Sequence, residues 1–240
     1  GEVNVPADKY WGAQTQRSSE NFRIGVGIEI RPREITHAFG ILKKAAAIAN
    51  ASLKPEKMTE EKLDAIGKAC DEVIAGQLNE HFPLVVWQTG SGTQSNMNAN
   101  EVIANRALQI MGHQPGEYQY CSPNDHVNCS QSTNDAYPTA IHIGLYATHL
   151  EFMKHYELLI QSFEAKAAEF ANILKMGRTQ LEDAVPMTLG QTFGAFASIL
   201  RDEIRNINFA AEEFLTVNMG ATAIGTGICS EPEYAEKCIA

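Results

Sequence analysis

Apolar side chains recur every three or four residues along most of this chain, which is the pattern of amphipathic helices. The first such segment covers residues 33–50, and a second covers about 59–75, where Gly76 stops it. A third follows a Gly-Ser-Gly-Thr stretch and ends near Gly112. We therefore predict three helices in the first half of the chain.

Beyond Pro138 the helical pattern becomes longer and almost uninterrupted. It runs from residue 139 to 171 and, after a polar turn at 176–185, from Pro186 to residue 217. Proline suits the first position of a helix, so we expect the second long helix to begin at Pro186. Two helices of roughly 30 residues would each be about 45 Å long, a length typical of helical bundles. The sequence thus predicts an all-α fold with long antiparallel helices in a central bundle.

The remaining segments lack a clear period. Residues 1–32 are expected to form an irregular arm and residues 112–138 a loop, because both are rich in Pro, Gly and polar side chains. Residues 84–87 are too few to separate a strand from buried coil. We therefore expect two domains. Residues 1–137 would form a mostly helical N-terminal domain with binding loops, and residues 138–240 a bundle domain that is incomplete at its C-terminus.

Composition narrows the class of protein. The 240 residues are 44% hydrophobic and carry a formal net charge of −10, which is typical of a globular protein and argues against a nucleic-acid partner. The apolar runs are too short to span a membrane, no signal-peptide pattern is visible, and we expect a cytoplasmic protein. Five cysteines without C-x-x-C spacing favour free thiols over a disulfide framework or a zinc site. The chain begins with Gly-Glu-Val rather than Met, which indicates that its true start is missing.

Uncharged hydrogen-bond donors are concentrated in three segments. The first is Gly90-Ser-Gly-Thr-Gln-Ser-Asn-Met-Asn98, where glycines let a ligand approach the backbone and a helix N-terminus offers free N–H groups. This arrangement suits a carboxylate, whereas the Gly-Lys-Ser/Thr ending of a phosphate loop is absent. Taken alone, the same residues are better explained by an ordinary helix cap with polar neighbours.

The second segment, Ser130-Gln-Ser-Thr-Asn-Asp135, precedes the first long helix and has the same two interpretations. Ser132, Thr133 and Asn134 supply donors. A serine-hydrolase mechanism would need an oriented histidine beside a serine, and nearby histidines are candidates only by their proximity in sequence.

The third segment is the turn at 176–185. Thr179 and Gln180 are neutral donors, and Arg178 is available to pair with a neighbouring carboxylate or with a substrate. The seven histidines show no metal-ligand spacing, and we expect neither a metal nor another cofactor. Three donor clusters suit a small dicarboxylate, because removing a proton beside a carboxylate builds up charge that such donors stabilise.

Longer motifs carry a family resemblance. Before residue 111 these are Val5-Pro-Ala-Asp-Lys-Tyr-Trp-Gly-Ala-Gln-Thr-Gln-Arg17 and Trp87-Gln-Thr-Gly-Ser-Gly-Thr-Gln-Ser-Asn-Met-Asn98, which resemble class II fumarate hydratase. From about Met111 they are Gly112-His-Gln-Pro-Gly-Glu-Tyr-Gln-Tyr120, Ser132-Thr-Asn-Asp-Ala-Tyr-Pro138 and Gly177-Arg-Thr-Gln-Leu-Glu-Asp-Ala184, which resemble aspartate ammonia-lyase. Both enzymes belong to the fumarase/aspartase superfamily. The change of likeness fits either a natural branch or an artificial join near residues 100–110.

The resemblance implies roles for particular residues. The positions that would bind the substrate are Ser91, Thr93, Ser132, Thr133, Asn134 and Thr179, the last holding the second carboxylate. Gln180 stands where fumarases carry a histidine that assists the departing or entering water. Fumarases also favour a serine at position 133 and a histidine at position 122.

An ammonium leaving group needs no proton donor, so a glutamine at position 180 is chemically tolerable. We therefore expect Thr179 and Gln180 to take part in reversible elimination of ammonia from L-aspartate, giving fumarate through an aci-carboxylate intermediate. The alternative is a fumarate hydratase that converts L-malate to fumarate and water.

The resemblance also implies parts that this sequence does not show. The family's serine base lies in a loop with the signature Gly-Ser-Ser-x-x-Met-Pro-x-Lys-x-Asn, and nothing in residues 1–240 matches it. Family active sites draw residues from three subunits of a tetramer. We therefore expect a homotetramer at full length, and a fragment that is very weakly active or inactive alone. The remaining hypothesis is a non-catalytic helical fragment or assembly module.

Overall fold

The computed structural model describes residues 2–240 and confirms a mainly helical fold. Its helices and strands, in chain order, are α1 (Ala13–Asn21), α2 (Arg33–Leu53), α3 (Glu60–Ile74), α4 (Thr93–Ile110), α5 (Thr133–Glu169), β1 (Leu174–Thr179), β2 (Glu182–Thr188), α6 (Leu189–Glu212) and α7 (Tyr234–Ile239). The described part of the chain contains no helix that is both long enough and apolar enough to cross a membrane.

The described residues form two compact units. One comprises the chain up to Leu145 together with Val217–Ala240, and the other comprises Tyr146–Thr216. The first unit contains α1 to α4, the beginning of α5, and α7. The second contains the later part of α5, the two strands and α6. The expected domain boundary between residues 137 and 138 stays a prediction.

The core of the first unit consists of two clusters of buried apolar side chains. In one cluster Ile66 of α3 packs with Val102 and Leu108 of α4. In the other, Phe39 of α2 packs with the start of α5 and with Tyr234 of α7. Burying a Val, Leu, Ile or Phe side chain contributes roughly 1.5–3 kcal/mol each, so α2, α3 and α4 are rigidly placed. The helices predicted for residues 33–50, 59–75 and before Gly112 are the helices that supply this core.

The N-terminal arm is partly helical, which corrects the expectation that residues 1–32 are irregular. Helix α1 is polar, and only its Thr15 and Ser18 are buried. An apolar period is therefore absent from it, and a sequence pattern cannot detect it. Its first residue follows Gly12, which offers no side chain as a cap.

Helix α5 begins at Thr133, before the expected start at residue 139, and Pro138 lies inside it. Proline lacks the N–H that would donate to the carbonyl four residues earlier. Here that carbonyl belongs to Asn134, and it accepts a hydrogen bond of 3.0 Å from Nδ2 of Asn218 instead. The expected boundary was wrong because a side chain distant in sequence satisfies the carbonyl group that the proline leaves free. The expected loop at 112–138 also contains a short π-helix, Pro123–Val127.

The turn expected at 176–185 is a β-hairpin, in which β1 and β2 pair antiparallel with Thr179 opposite Glu182. Pro186 lies in β2, opposite Met176, and the prediction that it opens a helix was wrong. Helix α6 begins at Leu189, where the hydroxyl of Thr188 caps the N–H of Gln191 in a capping box. Proline is tolerated here because a strand in a two-stranded sheet has one edge without a partner strand.

Phenylalanines hold the second unit together. Phe163 on α5 packs against Phe193 and Phe196 on α6, with ring centroids 5.9 and 5.6 Å apart. Arg201 of α6 donates to the carboxylate of Glu164 at 2.7 Å. Phe170 of the segment after α5 also packs against Phe193, whereas Glu157 lies 3.7 Å from Arg201, so α5 and α6 run antiparallel, as expected.

Candidate active site

The turn before α4 requires a glycine at position 92. Gly92 adopts a left-handed conformation with φ of 77°, which glycine reaches without steric cost. A Cβ atom at this position would also overlap the ring of Tyr137 on α5. The two requirements fix the backbone of the turn where helix α4 begins.

The same turn presents hydroxyl groups beside an uncapped helix start. The Oγ of Ser91 lies 3.3 Å from Oγ1 of Thr89 and 3.5 Å from Oγ1 of Thr93, and all three side chains are exposed. Helix α4 has no side-chain cap and no acidic residue in its first turn. Its first N–H groups are therefore free of a capping side chain, and the partial positive charge of the helix start is not neutralised locally. Such a turn is suited to a carboxylate.

The start of α5 is organised by the buried carboxylate of Asp135. One oxygen accepts the backbone N–H of Ser132 at 2.8 Å, and the other accepts the backbone N–H groups of Gly220 and Thr222 at 3.1 and 3.0 Å. A carboxylate near a helix N-terminus is favourable because of the helix dipole. Asp135 thus fixes Ser132 and fastens the segment around residue 220 against α5.

Asn134 is exposed but already has partners. Its Nδ2 donates to the carbonyl of Ala223 at 2.8 Å, and its backbone N–H donates to Oγ of Ser132 at 3.2 Å. One amide hydrogen and the side-chain oxygen of Asn134 therefore remain for a ligand. The side chain is held in one orientation by the 223 carbonyl.

The structure brings the two predicted donor clusters of the first unit together. Nδ2 of Asn96, in the first turn of α4, donates to Oγ1 of Thr133 at 3.2 Å. The backbone of Gly92 lies against the ring of Tyr137 on α5. Two helix N-termini and their hydroxyl groups are thus neighbours, although they are about forty residues apart in sequence.

A buried lysine beside Asn96 belongs to the candidate site, and the sequence analysis did not identify it. Lys43 on α2 is completely buried, and its ammonium donates to Asn96, Asn128 and Gln131. The only signal in the sequence was a lysine at a position of the helical period where an apolar side chain would fit. Burial lowers the pKa of Lys43 to about 7, and the negative charge of Asp135 acts in the opposite direction.

Thr179 and Gln180 belong to the second unit, at the tip of the hairpin. Gln180 and Leu181 form its two-residue loop, and both have positive φ values of 50° and 68°. Positive φ at both central residues defines a type I′ turn, in which glycine and asparagine are favoured. Arg178 donates to Asp183 at 3.0 Å across the hairpin, so it pairs with a neighbouring carboxylate. The sequence placed these residues in a turn correctly but missed the strands.

The titratable groups supply no further obvious site. Among residues 2–240, no three His, Cys, Asp or Glu side chains are grouped as a metal site. The five cysteines are unpaired, and burial raises the pKa of both Cys70 and Cys121 to about 12. These two thiols are therefore poor nucleophiles at neutral pH. We therefore take the donor clusters as the candidate site.

Known proteins are similar to this chain in sequence and in fold. The profile of a lyase family matches residues 1–240. Class II fumarate hydratase of Thermus aquaticus is 52% identical over 237 residues, which are 98% of this chain and 50% of that protein. Aspartate ammonia-lyase of Pseudomonas fluorescens is 52% identical over 236 residues, which are 98% of this chain and 49% of that protein. A crystal structure of a fumarate lyase/delta crystallin from Brucella melitensis bound to cobalt superposes with a TM-score of 0.92 at 48% identity, covering 99% of this chain and 51% of that one.

The fold, the paired helix starts and these matches define a helical lyase. The chain belongs to the fumarase/aspartase superfamily. It spans about half the length of the curated relatives it matches.

Proposed function

We propose that this chain is part of an aspartate ammonia-lyase, which eliminates ammonia from L-aspartate to give fumarate. Ser91, Thr93, Ser132, Thr133 and Asn134 would bind one carboxylate of the substrate. In the assembled enzyme, where the resemblance implies that several subunits share a site, Thr179 would bind the other. The proposal is supported by the two neighbouring helix starts, which offer N–H groups and hydroxyls to a dianion in a protein whose net charge of −10 does not attract one.

The proposed chemistry begins with removal of a proton from the carbon beside one carboxylate of aspartate. The electron pair of the broken C–H bond moves into that carboxylate and gives an aci-carboxylate dianion. The pair then returns to form the carbon–carbon double bond while the C–N bond breaks and ammonia leaves. Preorganised neutral donors stabilise the intermediate, and losing one such donor typically costs about 10²–10³ in rate.

The observation that carries the choice of substrate is Gln180. Its amide replaces the histidine that fumarases have at this position, and it lies in a left-handed conformation with φ of 50° at the tip of the hairpin. A non-glycine residue held there is unfavourable by itself, and such strain is often found at functional sites. An amide cannot donate a proton to a departing hydroxide, whereas ammonia needs no such donor.

The second candidate is a class II fumarate hydratase. The Gly90-Ser-Gly-Thr-Gln94 segment favours it, because the resemblance of residues 1–110 is to that enzyme. Its hydroxyls at Ser91 and Thr93 would bind malate as readily as aspartate, since both are dicarboxylates. The two candidates therefore differ mainly at position 180.

A third candidate is a non-catalytic helical assembly module. Apolar side chains of the second unit are exposed, including Leu158 at 57%, Ile199 at 61% and Phe209 at 69%. Exposed apolar side chains on long helices suit self-association, with or without catalysis.

For the full-length enzyme, we propose a cytoplasmic homotetramer. The serine base implied by the resemblance has no counterpart in residues 1–240, so the proposed turnover concerns the whole enzyme.

The test measures fumarate formation by ultraviolet absorbance, with L-aspartate and L-malate offered separately. The 240-residue chain is compared with the chain encoded by the complete reading frame. We expect turnover of aspartate by the longer chain alone. Turnover of malate would make the hydratase the correct choice, and turnover of neither substrate by either chain would leave the assembly module.

A further inference from the structure

The ammonium group of Lys43 is surrounded by neutral oxygen atoms. It lies 2.7 Å from Oδ1 of Asn96, 3.0 Å from Oδ1 of Asn128 and 2.7 Å from Oε1 of Gln131. An ammonium has three N–H donors and no acceptor, so the three contacts use its full hydrogen-bonding capacity. Three oxygen acceptors suit the charged form, which burial disfavours because the residue exposes 0% of its surface.

These contacts connect three separate segments. Asn96 belongs to α4, and Asn128 and Gln131 lie in the segment that leads to α5. Because Oδ1 of Asn96 is bound to Lys43, its Nδ2 is directed to Oγ1 of Thr133 at 3.2 Å and to Oδ1 of Asn128 at 3.1 Å. The lysine therefore determines which way the asparagine amide faces, and through it the orientation of the Thr133 hydroxyl.

Asn50 of α2 and Lys54, which directly follows the helix, bind the same segment. Nδ2 of Asn50 donates to the carbonyl of Cys129 at 3.0 Å, and Nζ of Lys54 donates to Oγ of Ser130 at 3.1 Å. Asn50 is seven residues after Lys43, so the two lie on one face of the helix, and Lys54 follows at its C-terminal end. Ser130 itself has a φ of 60°, which this series of contacts holds in place. These side chains thus hold in place the turn that precedes Ser132 to Asn134.

A buried ammonium in this position is unfavourable for folding, so its presence needs another explanation. Burial lowers its pKa to about 7, and the negative charge of Asp135 opposes this shift. An apolar side chain at the same position would avoid the desolvation. A positive charge below two helix starts would, however, attract a dicarboxylate, and a bound anion would in turn favour the charged lysine.

We infer that Lys43 is a positioning residue for the dicarboxylate site: it aligns Asn96 and Thr133 and, protonated when a dicarboxylate is bound, supplies positive charge beneath the two helix starts. This inference rests on the proposed function of the same site. It concerns a residue that contacts no substrate and acts through the amide of Asn96.

The first test compares Lys43→Met with Lys44→Met in the complete-reading-frame protein. Lys44 is adjacent but forms an exposed ion pair with Asp71, so it controls for loss of a lysine from α2. We expect Lys43→Met to lower kcat/KM by about 10²-fold, mainly through KM, because misplacing binding groups by about 1 Å has that effect. Lys44→Met should change it about twofold or less. An unchanged KM in Lys43→Met, with only a smaller active fraction or a lower melting temperature, would show a merely structural role and overturn the inference.

The second test keeps the shape and removes the net charge. Asn96→Asp is isosteric, and it places a carboxylate on Lys43 in the first turn of α4, where the helix dipole favours it. The variant also replaces the Nδ2 donor, so the hydrogen bonds to Oγ1 of Thr133 and Oδ1 of Asn128 are lost. KM should rise about tenfold or more, because the charge below the site is cancelled and the Thr133 hydroxyl is no longer aligned. This variant also decides the question if Lys43→Met does not fold. An unchanged KM in a folded Asn96→Asp protein would refute the inference.

Hydrogen exchange separates failure of this inference from failure of the proposed function. In Lys43→Met, the amides of residues 128–135 should lose protection, whereas in Lys44→Met they should match the wild type. If the wild type turns over neither aspartate nor malate, the proposed function falls, and this local loss of protection would then support only the alignment of residues 128–135 by Lys43. Equal protection of residues 128–135 in all three proteins would overturn it.

Discussion

The carboxylate of Glu101 on α4 accepts two hydrogen bonds from Thr15 on α1, one from its backbone N–H at 3.0 Å and one from its hydroxyl at 2.7 Å. It also accepts the backbone N–H groups of Gly12 and Gln14 at 2.9 and 2.8 Å. Glu101 therefore satisfies the free N–H groups at the start of α1, which Gly12 cannot cap. A residue of another helix does what an N-cap side chain ordinarily does.

We expect Glu101→Gln to destabilise the protein by about 1–3 kcal/mol, because a buried amide replaces an acceptor that four donors share. Glutamine keeps one acceptor oxygen, but its NH₂ group takes the place of the other, so at least the donor on that side, such as the N–H of Gln14, loses its acceptor. Urea unfolding measures the change, and Glu56→Gln, at an exposed position, is the control. Equal unfolding midpoints for the two variants would show that Glu101 does not hold α1 in place.

This relationship explains why α1 was missed and α2 to α4 were predicted. Helices α2, α3 and α4 bury an apolar stripe, and that stripe is visible as a period in the sequence. Helix α1 buries polar side chains, and its start is stabilised by Glu101 from far along the chain. Local patterns carry no information about such a partner. The same holds for Asn218, which accommodates Pro138 within α5.

The residues of the candidate site also fall into two groups, those that the sequence predicted and those that it missed. The donor clusters at Ser91–Thr93 and Ser132–Asn134 were predicted because hydroxyls and amides before a helix are a local signal. Lys43 was not, since a lysine within an apolar period looks like an exposed side chain until its three partners are known. Neither was the hairpin at Gln180, because its loop lacks the Asn-Gly or Asp-Gly pair that signals a type I′ turn.

The hairpin loop can be tested through Leu181, whose side chain is 96% exposed and whose φ is 68°. A non-glycine residue in the left-handed conformation is destabilised by roughly 1–2 kcal/mol. Glycine avoids this cost but loses more chain entropy on folding, which offsets part of the gain. We therefore expect Leu181→Gly to stabilise the hairpin by about 0.5–1 kcal/mol. Leu174→Gly, in strand β1 and also exposed, should destabilise it by a similar amount.

Hydrogen exchange of the amides in β1 and β2 measures both changes. Protection should increase in Leu181→Gly and decrease in Leu174→Gly. A decrease in both variants would mean that the leucine at the tip contributes contacts that outweigh its backbone strain.

Changing Gln180 to histidine should not by itself create malate turnover. The fumarase-like pattern has a histidine at position 122 and a serine at position 133, where this chain has Ser122 and Thr133. Ser122 here caps the π-helix, accepting the N–H of Asp125 at 3.1 Å. We expect Gln180→His in the complete-reading-frame protein to lose aspartate turnover without gaining malate turnover.

Fumarate formation from each substrate measures this outcome, and Leu181→Gly, which alters the loop without changing position 180, is the control. Malate turnover by Gln180→His alone would show that one side chain decides between the two reactions.

The stability of the protein should depend on pH through Lys43. Its pKa is lowered from 10.5 in the unfolded chain to about 7 in the folded protein, mainly by burial, with Asp135 and Cys70 as the charged or titratable groups that oppose this. Between these values the unfolded state binds more protons, so the free energy of unfolding rises with pH. The cost of burying the charge is complete below about pH 7 and declines as the pH rises towards 10.5. Since the pKa of Cys70 is raised to about 12, its thiol stays protonated throughout this range.

We therefore expect wild type to gain stability relative to Lys43→Met as the pH rises, by up to about 1.4 kcal/mol for each pH unit. Urea unfolding at three pH values between 7.5 and 9.5 measures the difference, the range being chosen inside the window between the two pKa values. Lys44→Met retains the buried ammonium and should follow the wild type at each pH. If the difference between wild type and Lys43→Met were the same at all three pH values, Lys43 would have to keep the same protonation state in the folded and unfolded chains, and the positive charge beneath the helix starts would then be permanent in this range.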